Sequence, residues 1–120
     1  MDILFLVTLI LEALFGLGFL FVPSLIVGLF GVTLDSTSTA LARLFGSALI
    51  CFPVLLWFAR KSHQTEFKKG AVYSLITYYL ISTILLVVAR LARLMNALGW
   101  IAVGIHIILL AWFGYFLMKK

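Results

Sequence analysis

The chain has 120 residues, 65% of them hydrophobic and only 11% charged, with a formal net charge of +5. A soluble domain of ordinary composition carries about a quarter charged residues, so these figures argue against a soluble fold and for an integral membrane protein. A hydrocarbon core of roughly 30 Å takes about 20 apolar residues in helical form. Four such segments, about 3–22, 37–59, 70–89 and 95–118, use nearly all of the sequence and leave no room within it for a soluble catalytic domain.

The first segment follows Met-Asp, without the basic flank of a secretory signal, and it continues beyond signal length. It is therefore expected to be retained. Pro23 removes one helical N–H and disfavours helical geometry at Val22. A spanning helix is expected to end near residue 22, with a short interfacial piece from Ser24 to Phe30 ending at Gly31. A single kinked and tilted helix is the alternative. Asp35, Ser36 and Thr37 then offer N-caps for the second segment, which runs to Trp57–Phe58 with a kink expected at Pro53. Cys51, the one cysteine, can form no internal disulfide and is expected to act as a small buried hydrophobe.

The stretch ARKSHQTEFKKG reads as the one strongly polar loop. The third segment begins near Ala71 and carries Tyr73, Ser74, Thr77, Tyr78, Tyr79, Ser82 and Thr83, groups suited to packing and interhelical hydrogen bonds. It ends at ARLARLMN. The fourth, ALGWIAVGIHIILLAWFGYFLMKK, finishes on two lysines.

Four spans place both termini and the 59–70 loop on one side, with Arg60, Lys61, Lys68, Lys69, Lys119 and Lys120. The other side has Arg90 and Arg93, with Arg43 a few turns into the membrane. An excess of Lys and Arg marks the cytoplasmic side. The fold expected is all-α, a four-helix transmembrane bundle with both termini in the cytoplasm, placed in a bacterial inner membrane. Its six basic residues at segment ends point to lipid headgroups as their partners, with no nucleic acid. Trp57, Trp100 and Tyr115 suit the interfacial aromatic belts.

Glu12 interrupts the first apolar run. It lies nine residues beyond Ile3, roughly 13–14 Å deep and close to the bilayer midplane. Thr8 and Gly16 lie one turn away on either side, so the strip Thr8, Glu12, Gly16 should face other helices. Arg43 shares a face with Thr39, Gly46 and Ser47. His106 is also near the midplane, with Asn96, Gly99 and Val103 leading to it at helical spacing. An ionised group at the bilayer centre costs at least about 2.5–3.5 kcal/mol, and pairing Glu12 with Arg43 would offset much of that. Two roles fit such a cluster. It could fix helix register, or it could form a pocket with a cationic mouth (Arg43, Arg90, Arg93) and a protonatable floor (Glu12, His106).

The stretch FVPSLIVGLFGVTLDSTSTALARLFGSALI resembles a pattern of small four-helix bacterial membrane proteins described as DoxX-like. Pro23 and Leu29-Phe30-Gly31 follow helix one, Ala42-Arg43-Leu44-Phe45-Gly46 opens helix two, and Asn96 and His106 come late. The resemblance covers roughly the first half and a few later positions, and it implies a four-helix fold. Length, helix count and a glutamate in helix one are also similar to the small multidrug resistance transporters, which implies proton–drug exchange at Glu12. The third segment departs from that pattern, because YSLITYYLISTILL lacks the Trp and Gly-rich sequence of their helix three.

The function expected is non-enzymatic: an accessory subunit of a membrane complex, or a binder of a small lipophilic or anionic ligand. Its candidate site residues are Glu12, Arg43, His106, Arg90, Arg93 and Asn96. A dimeric proton-coupled transporter using Glu12 and His106 is the alternative. A membrane enzyme using the same two as an acid–base pair on a lipophilic substrate is the third. The partners expected are the bilayer and other membrane subunits or a second copy. The sequence has no Gly-rich phosphate loop, no His/Cys cluster at metal spacing and no nucleophile elbow. It names no cofactor, and one midplane histidine is too few for a bis-histidine haem unless a homodimer supplies another.

Overall fold

The computed structural model describes residues 2–119, with the backbone alone for Lys119. Its helices, in chain order, are α1 (Asp2–Phe21), α2 (Pro23–Gly28), α3 (Ser36–Lys61), α4 (Thr65–Leu91) and α5 (Gly99–Lys119), with no strand among the described residues. Four of them, α1, α3, α4 and α5, are long and apolar enough to cross a membrane.

Local chemistry sets the helix ends. Val22 takes φ −134° and ψ 55°, outside the helical region, and Pro23 starts α2 at the position where a missing N–H does no harm. Hence α1 and α2 are separate helices and not one kinked rod. Asp35 caps α3: its carboxylate accepts from the Ser38 N–H at 2.8 Å, and the Ser38 hydroxyl oxygen accepts from the Asp35 N–H at 2.9 Å. Helix α3 continues through Pro53 to Lys61.

Two boundaries differ from expectation by four residues or more. Helix α4 begins at Thr65, five or six residues before the apolar run, so all of the polar stretch TEFKKG is helical and not loop. Its polarity marks where the chain leaves apolar surroundings, and helix propensity continues there. The connection shrinks to residues 62–64, where the Ser62 hydroxyl accepts from the Gln64 N–H at 3.0 Å. At the other end, α5 begins at Gly99 and not near residue 95, because the Asn96 side chain accepts from the Leu98 N–H at 3.0 Å and holds the turn before it.

The helices pair as hairpins, α1 against α3 and α4 against α5. Glycine allows the first pair to close. A Cβ at Gly46 would lie 2.6 Å from the Leu20 backbone nitrogen and 2.8 Å from the Gly16 carbonyl oxygen. The helix backbones are in contact there, as small residues permit. The buried core joins the two hairpins at the end of the bundle that carries Asp2 and the 62–64 turn. Leu4, Phe5, Leu56, Leu75, Tyr79 and Phe113 are its large members. Asp2 and Arg60 close that end with an ion pair at 3.0 Å.

At the opposite end, α2 and the loops around residues 29–35 and 92–98 form a cap. Asn96 ties the two loops together. Its backbone N–H donates to the Phe30 carbonyl at 2.8 Å and its side-chain amide to the Leu29 carbonyl at 3.1 Å.

Candidate functional site

Thr8, Glu12 and Gly16 repeat at four-residue spacing on one face of α1, and all three are buried. That face turns Glu12 into the bundle, where it is 5% exposed. A buried carboxyl needs partners. Tyr79, fully buried on α4, donates its hydroxyl to Glu12 Oε1 at 2.8 Å. Glu12 Oε2 and the neighbouring Thr8 Oγ1 are buried without a hydrogen-bond partner among the described residues.

His106 on α5 meets the same tyrosine. Its ring stands edge-on to Tyr79 at 5.3 Å between centroids and lies 6.2 Å from Tyr78. The His106 Nδ1 lies 2.8 Å from the Ala102 carbonyl oxygen. A carbonyl can only accept, so Nδ1 carries the hydrogen; in the neutral ring Nε2 is then an acceptor.

Between the hairpins, beyond the core, lies a cavity of about 550 Å³. Its polar lining groups are Glu12, Tyr78, Ser82 and His106, gathered towards the core. The rest of its wall is apolar and comes from every helix, with Phe19, Ile26, Phe45, Leu86 and Ile105 among its members. The cavity begins where the packed core ends, is partly open, and has α2 and Met95 among its walls. An apolar cleft of this size with a few convergent polar groups is the usual form of a small-molecule site.

The expected Glu12–Arg43 pair does not form. Arg43 is exposed and lines a separate shallow depression with Leu20, Thr39 and Ser47. Register is the reason. Gly46 sits level with Gly16 and Leu20 in the antiparallel pair, which puts Arg43 roughly 13 Å farther along the axis than Glu12 at 1.5 Å per residue. Glu12 takes its partner from α4 instead.

The other expected site residues lie off the cavity wall. Arg90 is half-buried at the end of α4, with its guanidinium 5.7 Å from the centre of the Trp100 ring. Arg93 is exposed in the turn after α4. The Asn96 amide is engaged with backbone groups. Cys51, expected buried, is exposed, with Sγ 3.7 Å from the Ser47 carbonyl oxygen. It sits on the outer apolar surface of α3.

Of the expected headgroup contacts, Arg60 pairs with Asp2 and Lys61 stands 4.3 Å over the Trp57 ring. Lys68 is half-buried and Lys69 exposed. The Lys119 side chain and Lys120 lie outside the described residues. Asp35, beyond the apolar helices, has its carboxyl held below the ordinary aspartate range by hydrogen bonds from the Ser38 N–H and then the Ser38 hydroxyl. Among the described residues, no group of three or more His, Cys, Asp or Glu side chains gathers as metal ligands would.

Sequence reading did not single out Tyr79, Tyr78 or Ser82 as site residues. The available signal was depth: Tyr78 and Tyr79 fall midway along their apolar segment, level with the midplane glutamate of the first.

Residues 6–120 match a family model described as Domain of unknown function (DUF8292), and the chain belongs to that family. No curated protein and no solved structure matches it.

Proposed function

We propose that this protein is a non-enzymatic integral membrane protein that binds a small lipophilic ligand between its two helical hairpins. The single observation that carries the reading is the cavity of about 550 Å³, apolar except for Glu12, Tyr78, Ser82 and His106. A carboxyl at membrane depth is a functional feature by default when it lines a cavity. Anionic ligands are the weaker fit, since Arg43, Arg90 and Arg93 are absent from the wall.

The orientation proposed has both termini in the cytoplasm of a bacterial inner membrane. Arg60, Lys61, Lys68, Lys69, Lys119 and Lys120 belong to the end with the termini, against Arg90 and Arg93 at the other. A second reading, a proton-coupled transporter, is favoured by one observation: Glu12 lines the cavity while Oε2 has no hydrogen-bond partner among the described residues.

Native mass spectrometry on protein extracted gently from its own membrane tests the first reading. A monomer or homodimer carrying a defined small molecule is expected, and Ala89→Trp, which fills the cavity from its wall, should remove that molecule. A stoichiometric protein partner with no small molecule would replace ligand binding with an accessory-subunit role. Gradient-driven flux in liposomes, abolished by Glu12→Gln, would establish the transporter.

A further inference from the structure

The polar end of the cavity has a definite hydrogen-bonding character. Glu12 offers acceptors: its carboxyl oxygens keep lone pairs in either protonation state, and Oε1 accepts one hydrogen bond, from Tyr79, at 2.8 Å. The other oxygen, Oε2, is buried with no hydrogen-bond partner among the described residues, and the torsion that turns the carboxyl group is broad. His106 offers another acceptor. Its Nδ1–H is held by the Ala102 carbonyl at 2.8 Å, which leaves Nε2 with a lone pair in the neutral ring. Tyr79 holds both groups together, bonded to the first and packed edge-on against the second at 5.3 Å. Donors are scarce there: among the described residues the cavity-lining hydroxyls are Tyr78 and Ser82, and no Lys, Arg, Asn or Gln side chain lines it.

From this arrangement we infer that the ligand is an amphiphile with an apolar body and a hydrogen-bond-donating head, a hydroxyl or an amine, seated with its head against Glu12 and His106 and its body against the apolar wall. The inference rests on the cavity being a ligand site. A donor head satisfies acceptors that are otherwise buried unpaired, whereas an ether or ester head leaves them so, and sites built to bond a donor discriminate strongly against analogues that lack it.

The test uses the full chain in lipid nanodiscs at neutral pH with three probes of equal chain length: 1-decanol, decylamine and 1-methoxydecane. The mole fraction of each that produces a fixed rise in Tm is read by circular dichroism. Decanol and decylamine should act at mole fractions at least tenfold lower than methoxydecane. That preference should fall within threefold in Glu12→Gln and in His106→Phe, and Ala89→Trp should abolish the response to all three. Val27→Trp, from α2, serves where Ala89→Trp does not fold.

If all three probes act equally and the tryptophan variant blocks them, the head-group inference is overturned while the cavity remains a ligand site. A preference that survives in both Glu12→Gln and His106→Phe overturns it too. Preference for decylamine alone would replace hydrogen-bond donation with recognition of charge. No response to any probe, or one indifferent to filling the cavity, overturns the ligand-site reading itself.

Discussion

Tyr79 and Glu12, sixty-seven residues apart in sequence, meet inside the bundle through a 2.8 Å hydrogen bond from the tyrosine hydroxyl to Glu12 Oε1. Helix α1 packs chiefly on α3, and α4 on α5, so this bond is a polar link between the two hairpins at the boundary of core and cavity. Below it the bundle is filled by side chains such as Phe5, Leu56 and Phe113; above it lies the cavity. The same bond therefore organises the polar end of the site and helps hold the hairpins together.

Tyr79→Phe keeps the ring, and with it the contact to His106, while removing the hydroxyl. A buried acceptor that loses its partner costs about 1–3 kcal/mol, so denaturant unfolding in a fixed detergent should show a loss in that range. Replacing both partners by apolar groups, in Glu12→Leu with Tyr79→Phe, should cost clearly less than the sum of the single changes. Additive losses would mean that the bond contributes nothing to stability.

The close approach of α1 and α3 makes a second prediction, with an internal ranking. Gly46→Ala would press a methyl against the Leu20 nitrogen at 2.6 Å and the Gly16 carbonyl at 2.8 Å, both rigid backbone. Overpacking of this kind costs about 1–3 kcal/mol. At Gly16 the nearest atom, at 2.9 Å, is the Ile50 Cγ1, a side chain able to move, and backbone begins at 3.2 Å. Gly16→Ala should therefore be the milder change. Gly104→Ala meets nothing within 4 Å and should be neutral or stabilising by up to about 1 kcal/mol through helix propensity. Unfolding midpoints of the three variants should rank Gly104→Ala above Gly16→Ala above Gly46→Ala.

Much of this was legible in the sequence, and the misses have identifiable causes. Apolar run lengths located the long helices, Pro23 separated α2, and the four-residue spacing of Thr8, Glu12 and Gly16 gave the buried face of α1. Spacing within one helix says nothing of the register between two. So opposite charge and estimated depth suggest a Glu12–Arg43 pair, whereas the antiparallel alignment at Gly46 carries Arg43 well away. Tyr79 falls among the groups suited to packing and interhelical hydrogen bonds, but a neutral hydroxyl does not reveal which partner it takes. Polarity reports environment and not backbone conformation, so it does not reveal that α4 starts at Thr65. Cys51 was expected inside because apolar residues usually pack there, but when the surroundings are themselves apolar, the exterior of a helix accepts them as well.

Asp35 gives the bundle a pH-dependent end. Hydrogen bonds from Ser38 stabilise its ionised form and lower its pKa in the folded state. Its contribution to capping α3 is thus fully present above the unfolded-state aspartate value of about 4. It is lost as the pH falls through the lower, folded-state value. Thermal scans between neutral pH and about pH 3 should therefore lose stability over the acid limb. Asp35→Asn retains an N-cap side chain without the titrating group and should flatten that part of the profile. An acid limb identical in the two proteins would assign the loss to other carboxyls.

The turns after α2 and α4 have the same hydrogen-bond pattern but different residues at the critical position. After α2, the Val32 N–H donates to the Val27 carbonyl and the Gly31 N–H to the Gly28 carbonyl, both at 3.1 Å, with Gly31 at φ 76°. After α4, the Leu94 N–H donates to the Ala89 carbonyl at 3.0 Å and the Arg93 N–H to the Arg90 carbonyl at 3.1 Å, with Arg93 at φ 61°. Both are Schellman closures, and a left-handed conformation costs a residue with a Cβ roughly 1–2 kcal/mol. Gly31 avoids that cost and Arg93 bears it. Arg93→Gly should therefore stabilise the protein by about 1 kcal/mol, after allowance for the greater freedom of glycine in the unfolded chain. A rise in the unfolding midpoint in detergent would verify the strain. If the same variant instead loses stability in bilayers of anionic lipid while gaining it in neutral detergent, the exposed guanidinium holds a headgroup strongly enough to outweigh the strained turn.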